Sequence, residues 1–556
     1  MTPRPFLRTF ASPAVLCAVG LVAALAAVLQ YSLRAYVPGA LEPGGFTLAN
    51  FAALAKPLYA RVFLDTMWVC FVTAFVALIV GYPLAYALVR VRSAALKAAI
   101  LVIAVTPLFL GEVVRTYSWI VVLGNNGFVN AMLLKLGVIA QPLQLMFTRF
   151  GVVTALVHVT LPVMVIMLAA ALAHVDRDCE RAAASLGAGP IRTFLTVTLP
   201  LSMPGIVAGV TTAFAWTFSA FATPQLIGGG QVNMVSNLSI SSDSPVSIFL
   251  SPRAFRSPAL RSPSRCWRCC ALPPGRSKKS GRTDMPRLSL QRLPRLFGAL
   301  VVGAILGFLL LPAIVVALAA FNGRAILSFP PDTWSLRWFV KALAYEDFRA
   351  GFRNGLIVTT CASLIALVIG AAFAFVLDRY EFRFKRSLET VLLSPLVIAH
   401  FTVGLGFLIL AAQLGVARGY AVVIACHVVL VLPFVLRSVY VSLRNLDRRF
   451  ELAAASLGAP PGRVLATITL PLLLPGLVSG WLFAAILSFN EFTASLFVTA
   501  QRTQTLPVAM YNYVREYADP SMAAISVIYI VATAALLTIA TVFLGLGKVL
   551  SVEQTR

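Results

Sequence analysis

Apolar stretches of about 20 residues or more alternate with short polar loops along most of this chain. Eleven such runs stand out. In the first half they lie at about 11–33, 62–89, 97–123, 150–173 and 204–227; in the second, at about 297–321, 355–377, 388–413, 419–441, 472–498 and 522–547. An α-helix rises about 1.5 Å per residue, so each run is long enough to cross a hydrocarbon layer of ~30 Å. Inside that layer every backbone N–H and C=O needs an internal partner, which predicts helices. The period-2 alternation of a membrane barrel is absent. The expected fold class is an all-α polytopic membrane protein.

The runs repeat. Asp65-Thr66 opens a span that ends at Arg90, and Asn354-Gly355 opens one that ends at Arg379. Pro107 matches Pro395, Pro162 matches Pro433, and Pro204-Gly205 matches Pro475-Gly476. Such duplication predicts two similar helical bundles around a pseudo-two-fold axis along the membrane normal, with a pathway between them. Twelve spans are expected and eleven are visible.

Composition agrees. Hydrophobic residues make up 59% of the chain and charged residues 12%, against about 25% charged in soluble domains. The formal charge is +25, but the basic residues gather at span ends, as the positive-inside rule requires, so a nucleic-acid partner is not expected. Arg90, Arg92 and Lys97 put the loop between the second and third spans in the cytoplasm. The N-terminus and residues 174–203 then face the same side, and loops 34–61 and 124–149 face the periplasm. Arg4 and Arg8 precede a run too long for a signal-peptide core, which predicts an uncleaved first helix. Eight cysteines form no disulfide framework. Cys266, Cys269 and Cys270 lack the further ligands a zinc site needs.

The repeat breaks at one place. Residues 1–238 read as a first half with five spans and 285–556 as a second half with six. Residues 239–284 are rich in Arg, Ser and Pro. Between Arg253 and Arg295 there are twelve Lys or Arg and one acid, Asp284. Five spans would invert the second half relative to the first. A frameshift that replaced an apolar helix and fused two neighbouring proteins explains this segment, with Met285 as the second protein's original start. A natural disordered linker is the alternative, and it does not repair the parity.

One motif occurs twice. Glu180-Arg-Ala-Ala-Ala-Ser-Leu-Gly187 is followed, nine residues on, by Val197-Thr-Leu-Pro200. Glu451-Leu-Ala-Ala-Ala-Ser-Leu-Gly458 is followed, nine residues on, by Ile468-Thr-Leu-Pro471. Asp176-Arg177 and Asp447-Arg448 precede them. Ala-rich text favours a short helix, and Gly187 and Gly458 are placed to end it at positive φ. A second short helix would run to Leu199-Pro200 or Leu470-Pro471, and the exposed acid would offer a polar contact. The pair resembles the EAA coupling loops of importer-type ABC transporter permeases. That resemblance implies docking of two separate ATPase subunits at Glu180, Ala182, Ala183, Gly187, Leu199 and Pro200 and at Glu451, Ala453, Ala454, Gly458, Leu470 and Pro471. It also implies a periplasmic substrate-binding protein as partner. No phosphate-cradling G-x-x-x-x-G-K-[ST] is present. No cofactor is therefore expected in this chain, ATP and Mg belonging to the ATPases, and no enzymatic activity of its own.

The resemblance narrows. Pro107 to Trp119, Leu123 to Asn130 and Phe221 to Leu238 resemble the first permease of the spermidine/putrescine group. Ser335 to Phe339, Ser488 to Thr493, Thr505 to Pro507 and Asp519-Pro520 resemble its second. That implies a small polar cargo, a polyamine-like cation foremost. Charged residues inside spans usually face a cavity or the bundle interior. Glu112, Asn490 and Glu491 are candidates for the substrate pathway. Arg115 can pair with Glu112 on one helix face, and Tyr117 and Trp119 could offer a cation–π surface. Structural pairing and anchoring is the competing reading of these groups. His158 and His427 read as helix-packing hydrogen bonders. Three rivals stand beside a permease: a secondary transporter driven by an ion gradient, a membrane enzyme, for which no catalytic cluster is seen, and a non-functional frameshifted fusion.

Overall fold

The computed structural model of the chain describes residues 4–35, 44–238, 292–325, 329–331, 333–517 and 519–544. The first half contributes α1 (Arg4–Ser32), α2 (Pro57–Arg90), α3 (Ala94–Phe109), α4 (Glu112–Leu123), α5 (Phe128–Lys135), α6 (Arg149–Ala173), α7 (Arg177–Ser185), α8 (Met203–Ser219) and α9 (Ala222–Gly228). The second contributes α10 (Arg292–Ala319), α11 (Glu346–Arg379), α12 (Lys385–Leu393), α13 (His400–Gln413), α14 (Tyr420–Arg444), α15 (Arg449–Ser456), α16 (Leu470–Asn490), α17 (Thr493–Val498), α18 (Leu506–Glu516) and α19 (Ser521–Leu544). Among the described residues the only β pairing is a pair of isolated bridges, Arg34 with Phe46 and Asn322 with Trp334. They sit at corresponding places, after the first helix of each half.

Seven helices are long and apolar enough to cross a membrane, and three bent pairs bring the number to ten. The apolar helix α19 adds a further 24-residue element. All eleven runs are thus helical. Local signals start several of them: Pro57 occupies the first turn of α2, Thr148 Oγ1 caps the Gly151 N–H of α6, and Asp176 Oδ1 caps the Asp178 N–H of α7.

Four runs expected as single spans are broken, 204–227 between α8 and α9, 472–498 between α16 and α17, and two more that bend sharply. α3 and α4 meet at 103°, and the corresponding pair α12 and α13 meets at 107°. A break inside a membrane strands carbonyl groups. Arg115 takes up two of them, donating from Nη1 to the Pro107 and Leu110 oxygens at 2.8 and 3.2 Å. Gly111, at the bend, lets the Tyr529 ring approach; an added Cβ would stand 3.1 Å from it.

The first helices are exchanged between halves. Leu21 and Ala24 of α1 cluster with Val358 of α11 and with Val403 and Phe407 of α13. An added Cβ at Gly406 would stand 2.8 Å from the Ala24 oxygen. Reciprocally, Ile305 and Leu309 of α10 pack with Ile100 of α3 and Leu161 of α6, and His158 Nε2 bonds the Leu309 oxygen at 3.1 Å. Packing boundaries therefore differ from the sequence boundaries of the two halves. The equivalent histidine of the second half, His427, bonds Ser488 and Ser495 at 2.8 and 2.9 Å, tying α14 to α16 and α17.

The repeated Pro-Gly pairs mark tight crossings. A Cβ at Gly205 would collide with Ala171, and one at Gly476 with Ser442. Residues just before 239 pack beside the N-terminal part of α2, where the Val235 N–H donates to Thr66 Oγ1 at 3.1 Å. The frameshift and linker readings fall on 239–284, outside the described residues.

Candidate coupling loops and the seam between the halves

The two repeated motifs fold alike. Each opens with a short helix, α7 or α15, and turns at a glycine in the left-handed region, Gly187 at φ 85° and Gly458 at φ 82°. Each then passes through a short helix (Pro190–Thr193 or Pro461–Val464) into a π-helical turn, Phe194–Thr198 or Leu465–Thr469. Leu470-Pro471 open α16 directly, whereas Leu199-Pro200 open a three-residue helix, Leu199–Leu201, that breaks at Ser202 and bends by 67° into α8. Ala182 and Ala453 are exposed, and Ala183 and Ala454 half-buried. Leu186 and Leu457, which sequence reasoning did not single out, are each 89% exposed. A leucine this bare in both copies is a protruding knob at the turn of each loop. Its position just before the motif glycine was the available signal.

The acids are not free. Glu180 Oε1 meets Arg90 Nη2 at 2.6 Å and accepts from Thr198 Oγ1 at 2.8 Å. Glu451 pairs with Arg379 at 2.6 Å and accepts from Thr469 Oγ1 at 2.7 Å. Their side chains are only 18% and 15% exposed. The expectation of an exposed acid is corrected: an inward turn satisfies the carboxylate within the chain.

A second convergence lies at the seam. Glu112, at the start of α4, accepts from the Ala222 N–H at 3.0 Å and from Thr493 Oγ1 at 2.8 Å. Glu491 accepts from the Ala494 N–H at 2.8 Å and contacts His400 Nδ1 at 2.7 Å. Both carboxylates thus sit at first-turn N–H groups of short helices, where orphan donors favour an anion. Asn490 Nδ2 reaches the Phe109 oxygen at 3.4 Å, and Tyr529 bonds Asn490. Phe221 and Phe492, at equivalent positions, stand 6.2 Å apart. Glu112, Asn490 and Glu491 are brought together; His400 joins them, and the sequence reading had not picked it.

Three other candidates are held in the surrounding packing, away from the carboxylate oxygens. Arg115 forms no ion pair with Glu112, because the carbonyls of the broken helix hold its guanidinium. Tyr117 and Trp119 are buried in the core, 3% and 2% exposed. Trp119 packs against His158 and Phe308 at 5.6 and 5.4 Å between ring centres. Neither ring presents a face to a cation. Among the described residues no group of His, Cys, Asp and Glu could hold a metal ion.

Comparison with known proteins matches residues 60–264 and 362–550 to the family described as "Binding-protein-dependent transport system inner membrane component". The spermidine/putrescine transport system permease protein PotB of Escherichia coli K12 is 32% identical over 193 residues, 35% of this chain and 70% of that protein. The putrescine transport system permease protein PotI of the same strain is 31% identical over 235 residues, 41% of this chain and 83% of that protein. A solved chain from a bacterial ABC transporter involved in the import of the acidic polysaccharide alginate aligns with a TM-score of 0.36 at 17% identity, covering 47% of this chain and 98% of that one.

Proposed function

Because the chain belongs to the family of binding-protein-dependent transport system inner membrane components, we propose that it carries both membrane halves of an ATP-driven importer for a polyamine-like cation. It is a multi-pass inner-membrane permease component. Separate ATPase subunits, one per coupling loop, supply ATP hydrolysis and bind the nucleotide and Mg. A periplasmic binding protein delivers cargo at the outer face.

One observation carries this reading: two loops of the same shape, each with a left-handed glycine and a bare leucine, follow corresponding helices in the two halves. A gradient-driven transporter gives such a pair nothing to do. The family match occurs twice, at residues 60–264 and 362–550, and this supports two fused halves, 1–238 and 285–556.

In mechanism, closure of the ATPases moves α7 and α15. The inner ends of the bundles respond, and the seam at Glu112, Asn490 and Glu491 opens alternately to either side. The carboxylates suit a cationic cargo. Arg115 sustains the broken helix beside them, and Tyr117 and Trp119 hold the scaffold.

The test is transport in proteoliposomes by the chain with the ATPase and binding protein that co-purify from its native membranes. Uptake of radiolabelled putrescine or spermidine is expected to require internal ATP. Uptake driven by an ion gradient without ATP contradicts the proposal.

A further inference from the structure

The motif acids contact the membrane helices, not the surface that a partner would meet. Arg90 is the last residue of α2 and Arg379 the last of α11. Each meets its glutamate at 2.6 Å, and both arginine side chains are 15–16% exposed. Thr198 and Thr469, 2% and 1% exposed, take the same carboxylates from the π-helical turns. Three segments meet at each acid: the inner end of a span, the short helix after the motif's Asp-Arg pair, and the turn leading to the next span.

Flanking contacts repeat the arrangement. Arg177 Nη2 donates to the Val89 oxygen at 3.1 Å, and Arg448 Nη2 to the Asp378 oxygen at 3.3 Å. The cations also lie over rings of their own helices, Arg90 over Tyr86 at 5.5 Å and Arg379 over Phe375 at 5.7 Å. The glutamate, arginine and threonine recur at the same relative positions in both halves, and the second site adds Asp378, which pairs with Arg379 at 3.3 Å and with Arg448 at 2.9 Å.

We infer that Glu180–Arg90–Thr198 and Glu451–Arg379–Thr469 are positioning clamps that transmit movement of the coupling helices to α2 and α11, rather than contacts to the ATPase. The inference rests on the coupling role proposed above. Charge-assisted bonds are short and directional, so a displaced α7 carries the end of α2 with it. The partner-facing surface is left to Ala182, Leu186 and their counterparts Ala453 and Leu457. Arg90 and Arg379 are thereby assigned a part in transport although neither belongs to the repeated motif.

The test compares Arg90→Ala, Glu180→Ala, the double variant, Thr198→Val and the exchange Arg90→Glu with Glu180→Arg, in the complex with its co-purified ATPase. Each is read for ATPase retention and for cargo moved per ATP hydrolysed. The clamp predicts wild-type retention. It predicts a roughly tenfold loss of cargo per ATP in either alanine variant, no further loss in the double variant, and recovery in the exchange. The near-isosteric Thr198→Val, which spares the fold, should lose a smaller part. Loss of ATPase retention in Glu180→Ala with normal coupling in Arg90→Ala would overturn the clamp. So would normal coupling in all variants. If the unaltered chain retains no ATPase, the coupling proposal itself fails instead.

Discussion

Thr493 of the second half donates a 2.8 Å hydrogen bond to Glu112 of the first. The other oxygen of the same carboxylate accepts from the Ala222 N–H. One acid therefore joins α4, α9 and α17 across the seam. Thr493→Val keeps the volume and removes the donor. A bond to a charged group contributes about 1.5–3 kcal/mol. The variant should melt at a lower temperature in lipid nanodiscs and import cargo more slowly. Unchanged melting would show that the seam does not depend on this contact.

Trp119 separates scaffold from pathway. Its indole is 2% exposed against Phe308 and His158. Trp119→Ala should cost about 3–5 kcal/mol through the cavity it leaves, seen as poor accumulation in membranes. Trp119→Phe should accumulate better and keep the wild-type KM for cargo. A raised KM in Trp119→Phe would return the ring to the pathway.

Asp519 gives a pH dependence outside the membrane spans. Burial pushes its carboxyl pKa up. Hydrogen bonds from Lys341, Ser521 and Tyr513 outweigh that and leave it below the usual value. The Lys341 Nζ contact is 2.6 Å and the Ser521 N–H contact 2.9 Å. A carboxylate depressed in the folded state adds stability above its unfolded pKa, and that contribution disappears as pH falls through the folded pKa. Melting temperature followed downward from pH 7 should fall more steeply below the ordinary carboxylate range in the wild type than in Asp519→Asn. Parallel curves would remove Asp519 from the acid response.

The helical spans, the duplication and the helix-then-glycine turn of both motif loops were legible in the sequence. Length, apolar runs and a doubled motif report directly on local structure. Less legible was everything set by contacts between distant segments. The 103° bend before Glu112 falls inside a stretch that reads as one span, and the Tyr529 ring packed against Gly111 at the bend comes from hundreds of residues away. Arg115 read as a partner for Glu112 because three-residue spacing puts both on one helix face. Once the helix breaks between them and the carbonyls, those carbonyls compete and win. The exchange of α1 and α10 leaves no trace in periodicity, since a helix apolar all round can pack on either half. The inward turn of Glu180 and Glu451 needed Arg90 and Arg379, which read only as span-end charges.

The central claim is that both coupling loops stand on the cytoplasmic face and hold the ATPase subunits. Leu186→Cys and Leu457→Cys, introduced singly into a chain stripped of its native cysteines and still able to transport, should react with a membrane-impermeant maleimide only in inside-out vesicles. Bound ATPase should protect both positions. Labelling of either cysteine from the periplasmic side of right-side-out vesicles would contradict the account.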